Sequence, residues 1–484
     1  MQRIDNTHAF ALYDVAGTRR LENATLSEKP EGQLLQQAGL AVAKLASALA
    51  PHASKIWIAC GPGNNGSDGL EAAKLLQTWG KTTIVTAHDR TFETSSDQRA
   101  RDAGVAWAQT PPSDHDLCID AMLGIGQDCR PLAGRLAVWA NAMTLGTPLV
   151  LAIDNPTGLD PNTGHLPGMG VAADHTLCLL TLKPGLFTGH GRDMAGQVWL
   201  DDLGINSQTC PNWPGLSPAA VLSRRPEPLA RRHATHKGSF GDVGIIGGST
   251  GMTGAALLAA SAALHAGAGR VFVGLLGDAT LQLDVAQPEL MFRAPETFDL
   301  AKMTIVCGCG GGPAIANWLP KLLALSQRLV IDADGMNALS TDRTCRLAVR
   351  QRFSHNQLTV LTPHPLEAAR FLGASVEHVQ ADRLAAARAI SDECRCTVVL
   401  KGSGTITTSP MTPTQINPTG NSRLASAGTG DVLAGMIGAG LAAGLGAQEA
   451  ASRAVYRHGQ VADAWPERES LTAGRLSQFG LIQD

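Results

Sequence analysis

The chain has 484 residues, 44% of them hydrophobic and 17% charged, the balance of a soluble globular protein long enough for two or more cores. Aromatic residues make up 4%, and 53 glycines far outnumber two tyrosines, which argues against a stacking platform for single-stranded nucleic acid and favours close-packed Ala/Gly helices on sheets. A formal net charge of −3 supplies no general attraction to nucleic acid or an anionic membrane, so a phosphate-bearing ligand must be held by local geometry. The ten cysteines form no zinc or disulfide framework. Cys307/Cys309 and Cys394/Cys396 are C-x-C pairs, not C-x-x-C, and read as small buried core residues in a reducing compartment. No basic stretch followed by an apolar run opens the chain, and a cytoplasmic protein without membrane contact is expected.

From Arg19 to Leu49, polar residues give way to LLQQAGLAVAKLASALA, an amphipathic stretch predicted to form a helix against the first sheet. Lys55–Cys60 (KIWIAC) reads as a buried strand. It runs into Gly61-Pro62-Gly63-Asn64-Asn65-Gly66-Ser67-Asp68-Gly69 and then a helical run, the order of a phosphate cradle. A turn chosen only for permissive backbone angles is the alternative. Strand-like runs at 82–87, 116–120, 148–153 and 177–181 alternate with helical ones, which predicts a parallel α/β sheet with crossover helices. Two of these strands end in Asp120 and Asp154. The carboxyl ends of parallel strands face one crevice, where both aspartates and the turn at Asn65 are expected to converge. Oxygens of Asn65, Asp120 and Thr157 suit a hard cation, leaving Asp154 free as an acid or base.

Between 206 and 227 four prolines and the loss of any period place a boundary, dividing the chain into domains 1–215 and 226–484. A second α/β series follows, with strands at 242–246, 270–275, 304–307, 328–331, 358–361 and 397–400 and helical runs at 253–266 and 365–372. Glycine-rich junctions follow these strands at 247–255, 308–312 and 401–405. Each alone is a tight turn; together they make a phosphate-rich crevice the better account. Asp332 and Asp334 end another strand, where they cap the next helix or serve a ligand or metal. His364, locked between two prolines, is a structural residue or a ligand contact at the crevice rim. In GNSRLASAGTGDVLAG, Gly428-Thr429-Gly430-Asp431 opens an apolar run, 432–447, read as a helix buried on both sides. The unpaired N–H groups at that helix start suit a phosphate. Asp431 would repel such an anion, so it either caps the helix or deprotonates a hydroxyl that attacks a phosphoryl group.

The segments GPGNNGSDG, DAMLGIGQDCRPLAG, AIDNPTGLDPNTG and ADHTLCLLTLKPGLFTGHGRDMAGQVWLDDLGI together resemble the NAD(P)H-hydrate epimerase domain over most of residues 1–210. The resemblance implies a Rossmann-like three-layer α/β/α fold and interconversion of the R and S forms of hydrated NADH and NADPH. It implies substrate contacts from Asn64, Asn65, Gly66, Ser67 and Asp68, from Gly124, Ile125, Gly126, Gln127, Asp128, Cys129 and Arg130, and from Asp154, and potassium coordination by Asn65, Asp120 and Thr157. The family's GNNGGDG has Ser67 here in place of a glycine. A positive φ at that position would cost about 1 kcal/mol. Its IPSG has become Asn155-Pro156-Thr157-Gly158, which keeps the hydroxyl.

The segments HKGSFGDVGIIGGSTGMTGAALLAASAALHAGAG, VIDADGMNALS, LTPHPLEAARFLG, VLKGSGT and ASAGTGDVLAG resemble the ADP/ATP-dependent NAD(P)H-hydrate dehydratases, a ribokinase-like α/β family, over nearly all of residues 230–460. The resemblance implies that Lys401, Gly402, Ser403, Gly404, Thr405 and Gly430 hold the nucleotide, and that Ala255, Gly310, His364 and Asp431 contact the hydrated cofactor. Fusion to an epimerase implies ADP as phosphoryl donor; Mg²⁺ is expected to stabilise the transferred group, and a homo-oligomer is expected. Two motifs depart from the family's. GNPG reads Gly420-Asn421-Ser422-Arg423, which brings a cation near the phosphates, and GPGLG reads Gly308-Cys309-Gly310-Gly311-Gly312, a looser turn. The alternative is a ribokinase-like small-molecule kinase behind a non-catalytic N-terminal scaffold.

Overall fold

A computed structural model describes residues 1–88, 94–146, 149–205, 216–229, 233–277 and 281–479. The chain divides into two compact units, Met1–Leu222 and Ser223–Asp484. Most of the proline-rich stretch before that division, 206–215, and Pro148 lie outside the described residues.

The N-terminal unit is built on an eight-stranded sheet. Its spatial order is Gln2–Arg3, Gln197–Asp201, His175–Leu179, Val150–Ile153, Leu117–Ala121, Lys55–Cys60, Thr82–Ala87 and Ala106–Ala108, all parallel except the first pair. Both faces are covered, as a parallel sheet requires. Ile56, Ile58 and Cys60 share one core with the helices Gln33–Leu49 and Asn64–Thr78. Trp57 and Ala59 point the other way, into a core shared with Trp139 and Met143 of the helix Gly134–Gly146. Lys55–Cys60 is where strand order reverses: the chain adds two strands on one side and returns to add the next four on the other. Ligand crevices open beside such a reversal, at the carboxyl ends of the strands. The stretch from Arg19 to Leu49 is two helices, not a polar lead into one. The first, Val15–Glu28, is capped by Asp14, whose Oδ1 accepts from Gly17 N at 2.7 Å.

The C-terminal unit carries Met291–Phe292, Arg270–Leu275, Asp242–Gly247, Thr304–Cys307, Arg328–Ile331, Leu358–Leu361, Thr397–Leu400, Ile406–Thr408 and Gln415–Ile416 in that spatial order. The strands are parallel as far as Thr397–Leu400 and antiparallel beyond it. Val243, Ile245, Val306, Val330, Val360 and Val399 face one core with the helices Thr253–His265, Thr429–Ala442 and Ala447–Asp463. Small residues make the close approach in this layer. A Cβ at Gly435 would stand 2.0 Å from Ala259 O, and one at Gly438 would stand 2.4 Å from Val306 Cγ2. The helix is therefore pressed against both a neighbouring helix and the sheet. The apolar run after Asp431 is not one helix to 447, because Thr429–Ala442 ends there, Gly444 turns at φ 90°, and a new helix starts at Ala447. Among the described residues no helix is long and apolar enough to cross a membrane.

Candidate active sites

In the N-terminal unit the turn after Lys55–Cys60 and the loop after Leu117–Ala121 open onto a cavity of about 520 Å³. Asn64, Asn65, Ser67 and Asp68 line it from the first helical turn of Asn64–Thr78, and Gly124, Ile125, Gly126, Gln127 and Asp154 line it from two loops. Gly66 is buried in the helix start behind this wall. Asp128, Cys129 and Arg130 are not on the wall. Arg130 and Asp128 pair with each other in solvent, and Cys129 is exposed. Gln127 ties its loop to the neighbouring one, accepting from Gly158 N at 2.9 Å and donating to Leu159 O. Ser67 is helical, its N–H donating to Gly63 O at 3.2 Å, and its φ is not positive, so no backbone strain follows from the side chain there.

Asp120 and Thr157 are locked together. Asp120 Oδ2 accepts from Thr157 N at 2.8 Å, and Asp120 Oδ1 accepts from Thr157 Oγ1 at 2.7 Å and Met122 N at 3.1 Å. Burial pushes the Asp120 carboxyl up to about 6 despite these hydrogen bonds. Asn65, 8% exposed, has no hydrogen-bond partner for either side-chain atom. A buried amide oxygen left without a donor, together with a carboxylate that burial disfavours, is a donor set that a hard cation would satisfy.

Asp154 is not free. Its Oδ1 pairs with Lys183, a fully buried lysine on the loop after His175–Leu179, and the backbone at Asp154 is left-handed at φ 66°. Lys183 Nζ also donates to Leu179 O at 3.0 Å and Thr181 O at 2.9 Å. A lysine in LTLKPG carries no mark of such a role; only the loop's return toward Asp154 gives it one. Two further charged residues on the cavity wall, Arg19 and Glu22, come from the helix Val15–Glu28, which no motif covers. Burial, followed by Asp154, raises Glu22, and burial followed by Asp154, Glu22 and Glu71 raises Asp68 well above the usual carboxylate range.

In the C-terminal unit Gly428, at φ 87°, starts the helix Thr429–Ala442 and puts Asp431 in its first turn. Asp431 is half-buried, with its carboxyl pushed up to about 7 by burial and by the nearby charges of Asp332 and Asp334, against a Cys309 hydrogen bond and the Lys401 ammonium. Lys401 Nζ donates to Asp332 Oδ1 at 2.6 Å, and the same oxygen accepts from Thr362 Oγ1 at 2.7 Å. Lys401 Nζ would lie 3.2 Å from a Cβ at Gly430, so two of the expected nucleotide contacts are neighbours. A Cβ at Gly310 would lie 2.9 Å from that of Ala255, which brings two expected substrate contacts together. Gly402, at φ 135°, lies against the Arg383 guanidinium; Ser403 is exposed, Gly404 buried, and Thr405 Oγ1 donates to Gly402 O at 3.0 Å. Asp334 Oδ2 accepts from Gly312 N at 2.8 Å and so holds the glycine-rich turn.

His364 caps the helix Pro365–Leu372. Its Nδ1 accepts from Leu366 N at 3.1 Å and Glu367 N at 3.3 Å, and its Nε2 stands 3.2 Å from Glu367 Oε1. Burial and then the Lys401 ammonium lower its pKa below the ordinary imidazole value, and the side chain is 44% exposed. Arg423 lies in a loop anchored elsewhere: Gly420 N and Asn421 Nδ2 donate to Asp463 at 2.8 and 2.9 Å. Cys309 is buried as expected, yet it belongs to the site and not only to the core. Its Sγ and carboxylate oxygens of Asp332 and Asp431 lie within 4.8 Å of one another. The second position of G-C-G-G-G, directly after a strand, was the available signal.

Fold and sites define a two-site α/β enzyme, each site set where glycine-rich turns leave parallel strands. Residues 31–185 match the family described as YjeF-related protein N-terminus, and residues 243–479 match the NAD(P)H-hydrate dehydratase family. The bifunctional NAD(P)H-hydrate repair enzyme Nnr of Escherichia coli is 34% identical over 461 residues, which are 90% of this chain and 85% of that one. The ADP-dependent (S)-NAD(P)H-hydrate dehydratase of Neisseria meningitidis is 43% identical over 256 residues, 51% of this chain and 85% of that one. A Bacillus subtilis ADP/ATP-dependent NAD(P)H-hydrate dehydratase co-crystallised with ATP/Mg²⁺ is 28% identical, covering 52% of this chain and 91% of that one with a TM-score of 0.43. The chain belongs to the family of bifunctional NAD(P)H-hydrate repair enzymes.

Proposed function

We propose that this protein repairs hydrated NADH and NADPH, epimerising the R and S forms in the N-terminal unit and dehydrating the S form at the expense of ADP in the C-terminal unit. The observation that carries the reading is Asp431: a half-exposed carboxylate in the first turn of a helix, held near pH 7, where a general base works best. Asp431 takes the proton of the C6 hydroxyl as the oxygen bonds to the terminal phosphorus of ADP and the bond to the bridging oxygen breaks, releasing AMP. Helix N–H groups at Thr429 and Gly430 steady the charge on the transferred group. The lone pair of the ring nitrogen then expels phosphate from C6, and loss of a C5 proton restores the dihydropyridine. Lys401 and the turn at Gly402–Thr405 hold the nucleotide, while Ala255, Gly310 and His364 contact the hydrated ring.

Asp332 Oδ2, which accepts from Cys309 Sγ at 4.0 Å, lies beside Asp431 and would hold Mg²⁺; the Cys309 thiol does not suit so hard an ion. Mg²⁺ held there would neutralise phosphate charge. In the other unit Asn65, Asp120 and Thr157 fit K⁺, which would satisfy the orphaned Asn65 amide oxygen and the buried Asp120 carboxylate. The test is incubation with mixed R and S hydrated NADH and either ADP or ATP, following NADH absorbance, AMP and phosphate. Full recovery of both epimers with AMP and free phosphate is expected. Accumulation of a stable phosphate ester would identify a small-molecule kinase instead.

A further inference from the structure

Three carboxylates, Glu22, Asp68 and Asp154, line the N-terminal cavity, and the Lys183 ammonium is bonded to Asp154. Lys183 Nζ donates to Asp154 Oδ1, Leu179 O and Thr181 O, which uses all three of its protons. Among the described residues Asp68 forms no ion pair. Asp68 is half-buried on the cavity wall, and burial followed by the charges of Asp154, Glu22 on Val15–Glu28 and Glu71 one turn along its own helix disfavours its ionised form. Arg19, also on Val15–Glu28, acts on Glu22, as does Lys183. One cavity thus presents a carboxylate paired with an ammonium and a second carboxyl that burial and neighbouring like charges push well above the usual carboxylate range. A carboxylate held by an ammonium, facing the same cavity as a carboxyl without one, is an arrangement that separates a base from an acid.

The epimerisation proposed above needs one of each. The C6 hydroxyl gives up its proton, its oxygen forms a carbonyl, and the C6–N1 bond breaks. The bonding pair passes to N1, which must gain a proton to leave as a neutral enamine. Closure onto the other face of the aldehyde reverses both transfers, so no oxidant, reductant or third reactant enters.

We propose that Asp68 is the proton donor to the ring nitrogen in this ring opening, opposite Asp154 as the base that takes the hydroxyl proton; this rests on the epimerase reading of the N-terminal unit. Lys183 is a positioning residue that fixes Asp154 in its left-handed conformation. Glu22 helps hold the proton on Asp68.

The test uses the full chain without ADP, so that the dehydratase is idle, and follows interconversion of purified S and R hydrated NADH across pH. Asp68→Asn is expected to lower kcat by about 10²–10⁴-fold with little change in KM and to remove the basic limb of the pH profile. Asp68→Glu is expected to recover part of the rate. Glu22→Gln removes a charge that keeps Asp68 protonated and is expected to move the basic limb to lower pH. A D68N rate close to wild type, a defect confined to KM, or a basic limb that survives in D68N would overturn the assignment while leaving the epimerase reading intact. A wild-type chain that does not interconvert the epimers would instead overturn that reading, and the assignment with it.

Discussion

The two units solve one electrostatic problem in opposite ways. In the N-terminal unit a fully buried lysine is bonded directly to the proposed base, Asp154, and Asp68 on the same cavity wall forms no ion pair among the described residues. In the C-terminal unit a half-buried lysine, Lys401, is bonded to Asp332, and burial and the like charges of Asp332 and Asp334 raise Asp431 to about 7 against a hydrogen bond from the Cys309 thiol. The difference follows the chemistry proposed for each. Ring opening and closure borrow and return protons, so an acid and a base must coexist. Phosphoryl transfer discards a proton once, so a single base near neutrality at an anion-holding helix start is enough.

Removing one member of each arrangement sharpens this contrast. The largest effect is expected from Asp431→Asn, which should lower dehydration of the S form by about 10²–10⁴-fold while nucleotide binding persists, measured by NADH recovery and by ADP titration. Next is Lys183→Met. It strands Asp154 in a buried position and should destabilise the N-terminal unit by about 3–5 kcal/mol, read from denaturant unfolding, with epimerisation lost. Thr157→Val keeps the shape but removes the hydroxyl bonded to Asp120 and one proposed cation ligand. A loss of about 1–3 kcal/mol and a blunted response of epimerisation to K⁺ are expected; an unchanged K⁺ response would remove Thr157 from the cation site. The smallest effect concerns pH. The base form of Asp431 is present above about 7 and lost as pH falls through it, so the dehydration rate should fall on the acid side of 7. Cys309→Ala removes a hydrogen bond that favours the ionised form and should move that limb slightly upward.

Strand after strand of the C-terminal unit was legible residue by residue. Arg270–Leu275, Thr304–Cys307, Arg328–Ile331, Leu358–Leu361 and Thr397–Leu400 start and end where their apolar runs do. A strand buried on both faces has no polar alternation to blur its ends. Edges set by backbone geometry were less legible. The strand beginning at His175 ends at Leu179, two residues short of the expected end, because Leu180 turns left-handed at φ 64°. The helix after Asp431 stops at Ala442, where a glycine turn interrupts a run that hydrophobicity alone would continue.

What the chain's order determined by itself is the pair of α/β units, the glycine-rich turns at strand ends and the family, because these depend on local periodicity and on contiguous motifs. Only the tertiary structure decided which charges meet. Lys183 lies 29 residues from Asp154, Lys401 lies 69 from Asp332, and Glu22 sits on a helix outside every motif. Whether a carboxyl is an acid, a base or half of an ion pair depends on distances and burial of that kind, and residues far apart along the chain set them only once the sheets have closed.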